Sequence, residues 1–181
     1  MALDPRSVAN LIVGEASRRR RPTTNLSLQK ILYFVQGKYL ARHGVPLMQG
    51  YFEAWQYGPV HPLVYECFKH LGAAPITEPA RHRRDLLSGC PVELSQIEDQ
   101  ELAQEILDLA VPYLRLSAGR LIDLSHAKNS PWDVLTKTES GGRCFGFRMT
   151  ENLIQAHFRH HKITISSEPS VGEPDEESPP N

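Results

Sequence analysis

The 181-residue chain has little of what usually announces a mechanism. It holds only three cysteines, Cys67, Cys90 and Cys144. They are odd in number, far apart and without a C-x-x-C pair, which speaks against a disulfide framework or zinc ribbon and fits a reducing compartment. No run of about 18 apolar residues exists, so no membrane-spanning helix and no membrane partner are expected. Met1-Ala2-Leu3-Asp4 lacks the charged stretch and apolar run that open a secretory leader, and a cytoplasmic location is the expectation. The phosphate-binding patterns G-x-G-x-x-G and G-x-x-x-x-G-K-[ST], the nucleophile elbow G-x-S-x-G and the zinc helix H-E-x-x-H are all missing. These absences argue against the common nucleotide, hydrolase and metalloprotease sites. They are silent on unusual sites, and no cofactor is expected.

The chain also lacks an excess of charge of one sign: the formal net charge is −1. That total hides a split. Residues 166–181 carry five acids, four prolines, no Lys or Arg and no aromatic residue. Such a segment cannot bury enough apolar surface to offset its ordering entropy, so a disordered acidic, Pro-rich tail is expected there. Residues 1–165 keep twenty basic and sixteen acidic side chains, about +4, and read as one domain of ordinary size.

What is present is mostly helical periodicity. Asp4 and Pro5 start a helix over residues 5–19, with Val8, Leu11, Ile12 and Ala16 on one stripe and Arg18–Arg21 at its end. Leu28, Ile31, Leu32, Val35 and Tyr39 mark a second, central helix, with Asn25 or Ser27 as cap and Gly44-Pro46 as stop. Residues 51–57 (YFEAWQY) read as one short strand, and Gly58-Pro59 as a turn into a third helix over 62–71. Residues 73–96 read as a long loop with a basic cluster at Arg81–Arg84 and a short helical piece at 85–87. A fourth helix is expected over 98–114, interrupted by Pro112, and a fifth from Ser117. A short sixth follows Ser130-Pro131, residues 143–148 form a second short strand, and Thr150 caps a last helix over 151–161. The fold class is mainly α: a single compact domain of about six or seven helices with a small two- or three-stranded β element.

The candidate sites each have a bland reading. His157, His160 and His161 could form a metal cluster, but no Cys or acid completes a local set, and a solvated helix end is the simpler reading. Cys67 reads as a small core residue. Arg18–Arg21 and Arg81–Arg84 could meet nucleic acid or an acidic protein, and so modest a charge ranks the protein partner first. Tyr51, Phe52, Trp55 and Tyr57 are dense enough for one side of the strand to pack inward and the other to be presented.

The order of motifs resembles a known family. Leu28-Gln29-Lys30-Ile31-Leu32-Tyr33-Phe34 is followed by Glu53-Ala54-Trp55-Gln56-Tyr57-Gly58-Pro59-Val60, then Pro62 and Tyr65, and later Ser117, Ser125-His126 and Pro131-Trp132. The pattern, spanning roughly residues 5–160, is similar to the Panacea domain, the SocA-like antitoxin family of bacterial toxin–antitoxin systems. His61 and Ser125 depart mildly from the usual pattern. The resemblance implies a mainly helical, non-enzymatic domain that binds and neutralises a cognate protein toxin. In one branch it also implies an adaptor that delivers the toxin to ClpXP through ClpX. A DNA-binding autoregulator is the alternative, although the third helix offers only Lys69 and His70 as readers. The motif residues Leu28, Gln29, Lys30, Tyr33, Trp55, Gly58, Pro59, Tyr65, Ser117, His126, Pro131 and Trp132 read as structural, with Trp55 and Trp132 as core anchors. Tyr51, Gln56, Tyr57, His61, Arg81, Arg83 and Arg84 are the candidate toxin contacts on surface.

Overall fold

A computed structural model describes residues 2–81, 94–137 and 145–160. Helix α1 (Pro5–Arg18) opens as its sequence requires: Asp4 accepts from the Arg6 amide at 2.8 Å, and Pro5 sits where no N–H is needed. Helix α2 (Asn25–His43) is capped one residue earlier than expected. The Thr24 hydroxyl accepts from the Ser27 amide at 3.3 Å, while Asn25 is already helical and turned inward. Gly44, at φ +76°, ends it.

α2 is the axis of the molecule. Twelve of its 19 residues are buried, and α1, α3 (Pro62–Phe68), α4 (Gln100–Ala110), α5 (Ala118–Ser125) and α7 (Glu151–His160) all pack on it. Tyr33 and Phe34 make edge contacts with Phe158 of α7 (Glu151–His160), at 5.4 and 6.3 Å between centroids. Phe34 stacks on Tyr113 at 4.5 Å. Gly37 lets α7 come close, because a Cβ there would overlap the Phe158 ring.

The stretch read as one strand is a hairpin. β1 (Phe52–Trp55) pairs antiparallel with β2 (Gly58–Val60), and Trp55 faces Gly58. Gln56 and Tyr57 form the tip and keep negative φ, so Gly58 at φ +97° takes up the reversal. Gly58-Pro59 is therefore strand rather than the turn into α3 (Pro62–Phe68). β3 (Phe147–Met149) adds to the other edge of β1, giving the order β2-β1-β3. Phe52, Ala54 and Met149 point inward, all buried.

A 3₁₀ turn, Lys69–Leu71, follows α3. Asp99 caps α4 (Gln100–Ala110), accepting from the Leu102 amide at 3.0 Å. α4 stops short of Pro112, and the chain continues as a 3₁₀ turn, Tyr113–Arg115. Ser117 caps α5 (Ala118–Ser125), Ser130 caps α6 (Pro131–Thr136), and Thr150 caps α7. The described residues thus form seven α-helices and one three-stranded antiparallel sheet, a mainly α fold. The helical piece at 85–87, Cys90, Cys144 and the tail at 166–181 lie outside the described residues.

Candidate partner-binding surface

The motif residues converge on the hairpin and hold it from behind. From α2, the Lys30 ammonium donates to the Pro59 carbonyl at 3.0 Å. Next to it, the Gln29 side chain accepts from the His61 amide at 2.8 Å and donates to Asn25 at 3.0 Å. From α6, the Trp132 indole donates to the Trp55 carbonyl at 2.7 Å. The His126 ring, at the end of α5, stacks on Trp132 at 3.5 Å and 13°. Gly58 closes the joint. A Cβ on it would lie 2.5 Å from the Ser125 Oγ and 3.0 Å from the Lys30 Cε. The site admits glycine for two reasons at once, its positive φ and this crowding.

Burial sets the electrostatics of this joint. Lys30 is 0% exposed with one carbonyl acceptor, and desolvation lowers its pKa to about 7. Desolvation also pushes the Tyr33 and Tyr113 hydroxyls well above their ordinary range. Leu28, Tyr33 and Trp132 are core, whereas Trp55 is only half-buried, and this corrects its placement as a core anchor. Its indole donates to Glu53 at 2.7 Å, and its ring meets Tyr65 edge-on at 4.7 Å. Trp55 belongs to the outward-pointing set of an alternating strand, so density of aromatics alone could not tell which ring faced in.

The other side of the hairpin is presented. Tyr51 is 39% and Tyr57 41% exposed, and Gln56 is exposed at the tip. The Arg148 guanidinium of β3 lies 4.6 Å from the Tyr51 ring centre. His61 is placed differently from the expectation. It is 2% exposed, its Nε2 bonds the Gln49 carbonyl at 2.9 Å, and burial lowers its pKa. A residue between β2 and the first turn of α3 is drawn under the sheet, so His61 is an interior residue and offers no contact surface.

Arg81 is exposed but belongs to another region. It follows Ala80, which exchanges two hydrogen bonds with Asn10 of α1, at 2.7 and 3.0 Å. Arg83 and Arg84 lie outside the described residues. The Arg18–Arg21 run is partly occupied within the chain: Glu15 pairs with Arg18 at 2.7 Å and Arg19 at 2.5 Å, and those bonds hold its carboxyl near a pKa of about 2. The i, i+3 and i, i+4 spacing of Glu15 to these arginines was the available signal. Cys67 donates to the Leu63 carbonyl, and burial raises its pKa. Among the described residues no group of three His, Cys, Asp or Glu side chains could hold a metal ion; His157 is buried against Phe158, and His161 lies outside the described set. Nor is any described helix long and apolar enough to cross a membrane.

The family model for "Antitoxin SocA-like, Panacea domain" matches residues 28–133, from the start of the Lys30 motif to just past Trp132. The chain belongs to this antitoxin family. A curated relative, Antitoxin SocA of Caulobacter vibrioides, is 39% identical over 180 residues, covering 99% of this chain and 95% of the relative. No solved structure matches. The matched segment contains Gln29, Lys30, Gly58, Ser125, His126 and Trp132 of the joint, while Asn25, α1, β3 and α7 lie beyond its limits.

Proposed function

We propose that this protein binds a cognate protein toxin through the presented side of its hairpin and neutralises it by occlusion. Membership of the antitoxin family supports the class of function. The observation that carries the surface is three exposed groups, Tyr51 just ahead of β1 and Gln56 and Tyr57 at the tip of a hairpin held by Lys30, Gln29 and Trp132. Aromatic rings on a pre-ordered scaffold lose little conformational freedom on binding and supply most of the energy of protein interfaces. The mechanism is binding energy, so no residue has to do chemistry. The family resemblance adds a second step, delivery of the bound toxin to ClpXP through ClpX.

The toxin gene is sought in the neighbouring reading frame, as a product lethal alone and harmless with this protein. Affinity for that product is then measured for Tyr51→Ala, Gln56→Ala and Tyr57→Ala. At least one tyrosine variant loses about tenfold or more. Unchanged affinity in all three removes the hairpin from the interface. Toxin turnover by purified ClpXP, with and without this protein, tests delivery, and equal rates exclude it.

A further inference from the structure

A second surface feature lies outside the toxin-binding hairpin. α2, α4 and α7 border a cleft of about 560 Å³. Lys38 and Arg42, one turn apart on α2, line it together with Arg159 in the last turn of α7. Phe158 and Leu109 give it an apolar part, and Asp108 is the one acid in the lining. The cations are unequally satisfied. Arg42 pairs with Glu105 at 2.6 Å, and Glu105 also takes His43 at 2.9 Å. Among the described residues, Lys38 and Arg159 have no ion pair. The Lys38 ammonium lies over the Tyr113 ring, 4.9 Å from its centre, and its pKa is lowered first by burial and then by the Arg42 charge. Positive groups crowded beside an apolar floor are the chemistry of a seat for carboxylates.

We propose that this cleft is the seat of the chain's own acidic C-terminal segment, residues 166–181. Charge complementarity and chain geometry both point to it. The segment carries Glu168, Glu173, Asp175, Glu176 and Glu177 and no cation. α7 delivers the chain to the rim: it ends at His160, directly after Arg159. Glu168 follows eight residues later, a reach of up to about 26 Å. A short tether gives an effective concentration in the millimolar range, so a weak intrinsic affinity fills the cleft within one molecule. An acidic segment of another protein would have to compete with this occupant.

The test uses the full chain and a full-length variant with E168Q, E173Q, D175N, E176Q and E177Q, which alters no residue of the folded body. In amide NMR spectra the two differ around Lys38, Arg42 and Arg159, and the difference fades between 50 and 500 mM salt as the Debye length falls from roughly 14 to 4 Å. Arg159→Glu, an exposed substitution, moves the otherwise native chain toward the spectrum of the neutral-tail variant. A synthetic peptide of residues 166–181 binds the neutral-tail variant about tenfold more tightly than the native chain, whose cleft is already filled. Spectra that agree outside residues 161–181, differences centred on another surface, or equal peptide affinity for both chains would each overturn the proposal.

Discussion

The hairpin has two sides that obey different rules. Behind it, side chains from α2, α5 and α6 meet the strands at fixed distances, and even the carbonyls of Trp55 and Pro59 are taken. In front, Tyr51, Gln56 and Tyr57 stand in solvent. The side behind holds Gln29, Lys30, Gly58 and Trp132 of the family motif, whereas the side in front carries Tyr51, which lies outside that motif, together with Gln56 and Tyr57, which lie within it. The residues that fix the fold and those free to meet a partner therefore overlap in sequence and separate only by the side they face.

The largest expected effect falls on the back of the hairpin. Gly58→Ala forces a side chain into a positive φ and against Ser125. A loss of about 3 kcal/mol or more is expected in urea unfolding, and the hairpin amides lose protection from exchange. A variant as stable as the native chain would show that the joint is loose and dissolve the contrast between the two sides.

Lys30 gives the next effect, visible as pH dependence. Its folded pKa of about 7 lies below the ordinary 10.5, so between those values the unfolded state binds more protons than the folded state. Stability therefore rises with pH from about 7, by up to roughly 1.4 kcal/mol per pH unit. Tyr33 and Tyr113, whose folded pKa values are raised, reverse the slope above about pH 10, because only the unfolded hydroxyls then ionise. Lys30→Met removes most of the rise, leaving the share of Lys38, whose pKa is also lowered by burial, and keeps the later fall. An unchanged rise in that variant would assign it to other groups.

Trp132→Phe is smaller. It deletes the indole donor to the Trp55 carbonyl and leaves a gap beside His126. A loss of about 2 kcal/mol is expected by thermal or urea unfolding, and a loss below ~0.5 kcal/mol would mean that packing rather than the hydrogen bond holds α6 to the hairpin.

How much of this was legible follows from where each partner lies in the chain. α1, α6 and α7 were readable because their signals are local: Asp4-Pro5, Ser130-Pro131 and Thr150 act within one turn. The central place of α2 followed from Leu28, Ile31, Leu32 and Val35. That Gln29, Lys30 and Gln36 are also buried did not, since their partners are the His61 amide, the Pro59 carbonyl and the Met48 amide, which lie 32, 29 and 12 residues away. The single strand at 51–57 became a hairpin because Gln-Tyr is not a turn signal; the reversal rests on Gly58, which reads equally well as a turn before α3. Residue type alone places His61 on the surface, and only the fold puts it under the sheet.

The smallest effect on stability is expected at the front, and it sharpens the comparison most. Tyr57 sits at the hairpin tip and Tyr51 ahead of β1, each about two-fifths exposed, and Tyr51 is engaged chiefly with Arg148. Removing an exposed ring there costs within about 0.5 kcal/mol of folding stability. The same variants are the ones expected to lose about tenfold or more in toxin affinity. Measured together, the two readouts should move in opposite order along the hairpin: stability falls most for Gly58 and least for Tyr57, while affinity per folded molecule falls most at Tyr51 or Tyr57. If Tyr57→Ala instead unfolds the domain as Gly58→Ala does, the front is part of the joint, and the toxin must be sought on another face.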